Sequence, residues 1–218
     1  FRFIVGSNAT EFFAHSAIIT GQSKPLTNLM NGTMREAREG QARIEDVDEN
    51  TFANFLEFCY TKNYPAAEHA IALSAASDGP ENPSEANMIA KQNDQVRPNK
   101  EACEDYTNVF LSHARMYVFA DTYAIEPLRL LSLQKLHKTL SLFMLYPERG
   151  DDIGALLRYT YENTTEREGK LDDLRELVLR YVCCNMEKLW SSELLKETLR
   201  AENSSSVDLI EMLWPRLD

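Results

Sequence analysis

The sequence predicts an α+β fold, in which a small sheet packs with helices and an all-helical extension follows. Three observations carry this prediction. Two short β-rich stretches open the chain, apolar residues recur at helical spacing over residues 52–59, and helical patterning continues from Phe110 to the C-terminus. The 218 residues are enough for one compact domain with an extension behind it.

The first elements are a predicted hairpin, two short helices and a third strand. Gly6 and the turn-forming pair Ser7-Asn8 separate the two opening stretches, which favours a tight connection between two strands. Gly21 and the pair Asn31-Gly32 end the two helices. The predicted elements are strands at 1–5 and 10–14, helices at 16–20 and 25–30, and a strand at 42–44.

A longer helix follows the third strand. Phe52, Phe55, Leu56 and Cys59 recur at i, i+3, i+4 and i+7, so they lie on one face of a helix. The helix gives way before Pro65, because the residue ahead of a proline avoids helical geometry. The spacing therefore predicts a helix with one apolar face.

Residues 66–106 differ from the rest of the chain in composition. They hold eight acidic and three basic residues, many Ala, Asn, Ser and Pro, and few large apolar side chains. Such a segment buries too little surface to offset the entropy lost on ordering. We predict a mostly mobile acidic insertion with a short helix near residues 84–92. The insertion interrupts one domain, because the pattern after it completes the pattern before it.

Apolar residues keep helical spacing from Phe110 to the end of the chain. Pro127 suits the first turn of one of these helices, where its missing N–H does no harm. Serines at 191–192 and at 204–206 suit the N-caps of the last two. The predicted apolar stripes are Leu111, Ala114 and Val118; Leu128, Leu131, Leu136 and Leu140; Ile153, Leu156, Leu157 and Tyr161; Leu171, Leu174, Leu177, Val178 and Tyr181; Leu194, Leu195 and Leu199; and Val207, Ile210, Leu213 and Trp214.

Several short motifs occur in a recognisable order. They are Phe3-Ile4-Val5-Gly6, Phe13-Ala14-His15, Ile18-Ile19, Ser23, Asn31-Gly32, Ile44-Glu45-Asp46, Phe52, Phe55, Leu56, Tyr60-Thr61, Ala120-Asp121-Thr122-Tyr123 and Leu128. This series resembles the BTB/POZ family over residues 1–141, in particular fungal BTB proteins with an enlarged middle loop. Residues 142–218 resemble the short BACK-like helical tail that follows many BTB domains, in truncated form.

The resemblance implies a BTB/POZ domain at residues 1–141, with 66–106 as a flexible insertion, and a helical extension at 142–218. The family fold is a small three-stranded sheet flanked by helical hairpins. In that fold Phe13, Phe52 and Tyr123 share one interior, and His15 is a buried or half-buried structural residue. The implied core residues are Phe13, His15, Ile18, Phe52, Leu56, Ala120 and Tyr123.

The chemistry-bearing residues do not form a recognisable catalytic motif. The four histidines, His15, His69, His113 and His137, lie far apart, and none pairs with a cysteine at metal-ligand spacing. The eight glycines are not clustered into a phosphate-binding loop. A nucleophilic Cys103 would lie in the predicted mobile segment, where preorganisation is poor. We therefore predict a protein that is not an enzyme and that has no cofactor, metal or catalytic residue.

The net charge of −11 argues against nucleic acid and anionic membranes as partners, because both require concentrated Lys and Arg. No run of about 18 apolar residues is present to span a membrane, and the opening residues are too short for a signal peptide. A first residue other than Met indicates a fragment. The cysteine spacings indicate buried thiols, and we expect an intracellular protein of the cytoplasm, the nucleus or both.

The resemblance implies a non-catalytic protein–protein interaction module, acting as an adaptor or scaffold. One alternative is a substrate-recruiting adaptor of a cullin-RING ubiquitin ligase. Residues 106–120 contain no acid, whereas the family often places a hydrophobic-x-acid motif there for cullin docking. Cullin is therefore a doubtful partner. The predicted partner-binding residues, each of which could instead be core, are Phe58, Tyr60, Tyr64, Leu111 and Tyr117.

Oligomeric state is a second open question for the sequence. Many BTB domains dimerise by exchanging a helix and strand that precede the Phe3-Ile4-Val5-Gly6 strand, with which this sequence begins. We expect a monomer or a non-swapped homodimer. The other alternative is an oligomerisation module of a transcriptional regulator. The acidic insertion is either a regulatory segment or a tolerated surface loop.

Overall fold

A computed structural model describes residues 1–33, 35–71, 97–166 and 169–214. Packing divides the chain into two units. Unit 1 contains Phe1–Pro65 and Arg115–Ser132, and unit 2 contains Ala66–Ala114 and Leu133–Asp218. The described ends of the predicted insertion, residues 66–71 and 97–106, belong to unit 2 together with the C-terminal helices. The boundary between residues 141 and 142 stays a prediction.

Unit 1 contains a three-stranded mixed sheet. Strands β1 (Arg2–Val5), β2 (Thr10–Phe13) and β3 (Gln41–Ile44) are ordered β2-β1-β3, with β2 antiparallel and β3 parallel to β1. Gly6 opens the hairpin turn with φ +72°, and a Cβ there would lie 2.6 Å from the Glu49 carboxylate. Only glycine fits this turn without displacing that side chain.

Helices surround the sheet of unit 1. Ser23 accepts a hydrogen bond from the Leu26 N–H and so caps the second helix, and Asp48 does the same for Thr51 in the fourth. The helices are α1 (Ser16–Thr20), α2 (Lys24–Asn31), α3 (Arg35–Glu39) and α4 (Glu49–Thr61), with parts of α5 (Thr107–Thr122) and α6 (Glu126–Leu142). The predicted α+β class is therefore confirmed.

The core of unit 1 is an aromatic cluster centred on Phe52. The Phe52 ring lies 5.1 Å from Phe3, 5.2 Å from Phe12 and 6.3 Å from Phe119, measured between centroids. Phe52 and Ala120 are fully buried, whereas Leu56 and Tyr123 pack against the cluster partly buried. Residues from both sides of the acidic segment thus fill one interior.

The structure corrects the predicted core at Phe13 and His15. Phe13 is 73% exposed and His15 is exposed, whereas Ile18 is half-buried and packs against the core, as Leu56 and Tyr123 do. The reason is strand alternation: Phe3 faces the core and pairs with Phe12, so the next residue, Phe13, points to the other face of the sheet. The buried residues at these places are Phe12 in part, Ala14 and Ile19.

Unit 2 is mainly helical, with a two-stranded antiparallel ribbon. Asp172 caps its helix by accepting hydrogen bonds from the N–H groups of Leu174 and Arg175, and Ser192 caps another through Leu195. Besides parts of α5 and α6, the elements are β4 (Ala70–Ile71), β5 (Glu104–Asp105), a 3₁₀ turn (Pro147–Arg149), α7 (Gly150–Asn163), α8 (Asp173–Cys184), α9 (Met186–Leu189), α10 (Glu193–Ala201) and α11 (Asn203–Leu213).

Helices α7 and α10 approach each other closely at Gly154. A Cβ at this position would lie 2.9 Å from the Leu195 backbone nitrogen, a contact that a rigid backbone does not relieve. Beside it, the Ser192 hydroxyl donates to Asp151 at 2.5 Å. The absence of a side chain at Gly154 therefore sets how near the two helices pack.

The described ends of the predicted insertion are held within unit 2. The Asn99 side chain donates to the Met144 carbonyl at 2.8 Å and accepts from the Met144 N–H at 2.6 Å. The Tyr106 N–H donates to Asp152 at 2.9 Å, and its hydroxyl donates to the Arg97 carbonyl. Residues 97–106 are thus anchored where mobility was expected. The short helix predicted near 84–92 lies outside the described residues.

Replacing Ser23 tests how the two sequence segments of unit 1 are joined. The Ser23 hydroxyl, 3% exposed, also donates to the Tyr123 carbonyl at 2.6 Å. Ser23→Ala removes this bond and the α2 cap together, and we expect a loss of about 1–3 kcal/mol in unfolding free energy by urea denaturation. Ser16→Ala, at an exposed serine of unit 1, is the control. Equal stability of both variants would contradict a joining role for Ser23.

Candidate interaction surface

The structure separates the five predicted partner-binding residues by exposure. Phe58 is 2% exposed, Tyr64 is 2% and Tyr117 is 1%, so these three lie in the interior. Leu111 is half-buried, and Tyr60 is 52% exposed. The prediction is corrected for the three interior residues, because buried side chains cannot act as contact anchors in this conformation.

Two of the corrections have visible causes. Helix α4 buries a wide face that includes Thr51, Phe55 and Phe58, so the last of these turns inward. The Arg129 guanidinium lies over the Tyr117 ring, with its central carbon 5.6 Å from the ring centroid. The Tyr117 hydroxyl accepts a hydrogen bond from Arg129 at 3.1 Å. These aromatic residues stabilise unit 1 from within.

Tyr60 is held on the surface by a contact with His15, the N-cap residue of α1. Its hydroxyl lies 2.9 Å from His15 Nδ1, within hydrogen-bond distance, and the two rings meet edge to face at 6.3 Å. The contact joins α4 to the residue that precedes α1. Because Tyr60 stands on α4 and His15 is the N-cap residue of α1, this contact restrains the Tyr60 ring before any partner arrives.

Phe13 completes the surface. It is 73% exposed, and it precedes His15 by two residues along extended backbone, with buried Ala14 between them. Alternate residues of an extended segment share a face and lie about 7 Å apart. We call Phe13, His15 and Tyr60 the aromatic patch. Large exposed aromatic side chains are typical of interface anchors.

A polar rim flanks the aromatic patch on the outer face of the sheet. Phe13 pairs in register with Arg2, and Arg2 forms an ion pair with Glu11 on the neighbouring strand. Arg2 and Glu11 keep side-chain exposures of 39% and 46%. An apolar centre with a charged, solvated edge is the usual arrangement of a protein-binding surface.

Two thiols of this chain, those of Cys59 and Cys103, are poor nucleophiles. Burial raises the pKa of Cys59 to about 12. The Cys103 thiol donates to the Glu101 carboxylate at 3.4 Å, and this hydrogen bond raises the pKa of Cys103. Both therefore stay protonated at neutral pH, whereas nucleophilic attack needs the thiolate. Cys103, the one nucleophile that the sequence offered, has the wrong protonation state for that role.

Two buried titratable groups occupy the interior of unit 2. Burial, with Lys135 nearby, lowers the pKa of His113 to about 3. Burial raises the pKa of Asp152 to about 6. Asp152 still accepts the Tyr106 N–H, and Arg149 lies 3.7 Å away. Neither group lies in the aromatic patch. The sequence alone could not predict these pKa shifts, because each comes from burial in the folded chain.

Among the described residues, no group of three or more His, Cys, Asp and Glu side chains could hold a metal ion. Across the same part of the chain, none of the helices has the length and apolarity required to cross a membrane.

The small mixed sheet, the surrounding helices and the surface aromatic patch define a protein–protein interaction module. Comparison with known families agrees with this class. Residues 2–78 match the family model of the BTB/POZ domain. This chain therefore contains a BTB/POZ domain, as its motif order predicted. The resemblance to fungal members and the BACK-like nature of the C-terminal helices stay predictions.

The acid sensitivity of unit 2 should depend on His113. Its pKa of about 3 in the folded state lies below the ordinary value of 6.5, so only the unfolded chain gains this proton as the pH falls through 6.5. Stability is therefore lost between pH 6.5 and 3. On lowering the pH from 7.5 to 5.5, His113→Leu should lose about 1.4 kcal/mol less unfolding free energy than wild type.

Urea denaturation at the two pH values measures this difference. The matched control is His137→Gln at an exposed histidine, whose curves should follow wild type. The contribution of Asp152 to stability changes with pH in the opposite direction, because its raised pKa costs stability as the pH rises through 3.8 towards 6. That contribution is common to wild type and variant and cancels. Identical pH slopes for His113→Leu and wild type would contradict the assignment.

Proposed function

We propose that this chain works as a non-catalytic adaptor or scaffold, whose BTB/POZ domain engages a partner protein through the aromatic patch. The observation that carries the proposal is the joint exposure of Phe13 at 73% and Tyr60 at 52%, with Tyr60 held by His15. Folding leaves these rings in water although the neighbouring rings of Phe12 and Phe58 are packed inward.

The patch has the physical properties of an affinity centre. Covering one large aromatic side chain contributes about 1.5–3 kcal/mol. The His15 contact restricts Tyr60 in advance, which lowers the entropy lost on binding. The partner we propose therefore presents an apolar pocket with a hydrogen-bonding group for the Tyr60 hydroxyl. The net charge of −11 disfavours nucleic acid as that partner.

The thiol chemistry supports an intracellular place of action, in the cytoplasm, the nucleus or both. Cys59 is a buried thiol, and Cys103 keeps its proton through the Glu101 carboxylate. Thiols of this kind persist in reducing compartments.

Substitution of the patch tests the proposal. In affinity purification from the native cell, we expect the double variant Phe13→Ser, Tyr60→Ser to recover at least about tenfold less partner protein than wild type. The amount recovered is quantified by mass spectrometry. Leu130→Ser is the control, because Leu130 is another large exposed apolar residue of unit 1, at 45%. Thermal unfolding of each variant verifies that unit 1 is folded.

The pattern of recovery decides between outcomes. Loss of the same proteins from the double variant but not from the control supports the aromatic patch. Unchanged recovery from the double variant contradicts it, and so does equal loss from both variants. Tyr60→Phe keeps the ring and removes the His15 contact, and we expect an intermediate loss of about threefold if preorganisation contributes.

Recruitment of a cullin is the less supported alternative. Of the surface predicted for it, Phe58, Tyr64 and Tyr117 are buried, and no acid occurs in residues 106–120. We expect no heat of binding when the purified chain is titrated with a cullin N-terminal domain at micromolar concentration. A measured affinity in that range would overturn this expectation.

The oligomeric state that we propose is a monomer or a non-swapped homodimer, and light scattering of the purified chain at micromolar concentration distinguishes the two. A dimer that Phe13→Ser dissociates would show that the patch binds a second copy. That result would favour the oligomerisation module over the adaptor.

A further inference from the structure

Unit 2 has a second candidate binding surface, a groove formed by α9, α10 and α11. Its volume is about 440 Å³, within the range of ligand-sized clefts. Leu199, Ile210 and Leu213 supply much of its apolar lining, and Trp190 stands at its edge. We call this surface the C-terminal groove. Its apolar lining is not closed over, since Ile210 is 60% exposed and Trp190 is 57% exposed.

Helix α11 continues the groove as an exposed stripe. Val207 is 53% exposed, Ile210 is 60% and Trp214, directly after the helix, is 69%. These residues stand at i, i+3 and i+7, which is the spacing that one helix presents to another. A helical segment therefore fits this surface better than an extended strand.

The charge of the groove indicates the chemistry of its occupant. Among the described residues that line it, the charged ones are both cations, Lys196 and Arg200. Lys196 is partly neutralised by Glu193 at 2.8 Å and lies 5.7 Å from the Trp190 ring. Arg200 is exposed and forms no ion pair with any residue that the structure describes. A cationic rim on a chain of net charge −11 is suited to an acidic ligand.

The same charges argue against a second copy of this chain. A two-fold dimer brings the same patch of each copy together. Lys196 and Arg200 of both copies would then lie in one interface, and like charges gathered in an interface oppose association. A partner with carboxylates beside an apolar face meets no such repulsion.

We propose that the C-terminal groove binds an acidic amphipathic helix of a partner protein, with its apolar face on Leu199, Ile210 and Leu213 and its carboxylates on Lys196 and Arg200. This surface lies in unit 2, whereas the aromatic patch of the proposed adaptor function lies in unit 1. The two proposals rest on different residues, so that either can fail alone.

The two tryptophans of the chain, Trp190 and Trp214, provide a direct reporter. The probe is a designed helical peptide of about fifteen residues with leucines at i, i+3, i+4 and i+7 and glutamates elsewhere. A matched peptide carries lysine in place of every glutamate. Binding is measured on the whole chain with Trp214→Phe, which leaves Trp190 as the only tryptophan. We expect its emission to shift to shorter wavelength as the acidic peptide covers the ring.

We expect the acidic peptide to bind at least about tenfold more tightly than the lysine peptide. Arg200→Glu should weaken the acidic peptide about five- to tenfold and improve the lysine peptide. Ile210→Ser should weaken both peptides. Lys170→Glu, an equal charge change at a side chain that is 79% exposed in the same unit, is the control and should leave both affinities unchanged.

Three results would overturn the proposal. The first is no emission change with either peptide, and the second is equal affinity for both. The third is a dimer, seen by light scattering, that Ile210→Ser dissociates, which would make a second copy the occupant. The peptide measurement uses no cellular partner, so loss of partners from the aromatic-patch variants and failure of peptide binding remain distinguishable.

Discussion

Unit 1 depends on the burial of one ring, that of Phe52. Its four nearest aromatic neighbours come from different elements: Phe3 from β1, Phe12 from β2, Phe55 from α4 and Phe119 from α5. Truncating a fully buried phenylalanine typically costs about 3–5 kcal/mol, a large share of a domain's stability. Phe3, Phe12 and Phe55, like Phe52 itself, precede residues 66–106 in the chain, but Phe119 follows them. The interior of unit 1 therefore closes only when this later segment joins it.

Periodicity in the sequence predicted most elements of unit 1 but not the register of β2. Phe12 and Phe13 are adjacent and chemically identical, so composition cannot tell which ring turns inward. The pairing of Phe12 with Phe3 decides it, and that pairing is a tertiary fact. The alternation of Phe3 and Val5 could have predicted which β2 residues face the core only if the hairpin register was already known. Helix α1 shows the same limit, since five residues are too few for a stripe to distinguish Ile18 from Ile19.

The binding surface was harder to predict than the core, and for a related reason. An aromatic residue in a helical pattern is equally compatible with an interior and with an interface. Phe58 and Tyr60 sit two residues apart on α4, yet one is 2% exposed and the other 52%. A separation of two places residues about 200° apart around a helix, so both cannot face the core. The family resemblance singled out this helix, but only packing shows that Tyr60 is its exposed aromatic residue.

The two candidate surfaces differ in the force that would hold a partner. The aromatic patch gains free energy by covering apolar rings, and its charged neighbours Arg2 and Glu11 already satisfy each other. Added salt should change such binding little, because apolar burial does not depend on screening. The C-terminal groove adds Arg200, whose attraction for carboxylates falls with ionic strength. A partner that approaches an acidic chain must also overcome long-range repulsion if it is itself acidic. An acidic helix would therefore bind the groove faster at moderate salt than at very low salt, where the net charge of −11 is least screened. Once the helix is bound, added salt weakens the complex, because it screens the attraction of Arg200 for carboxylates.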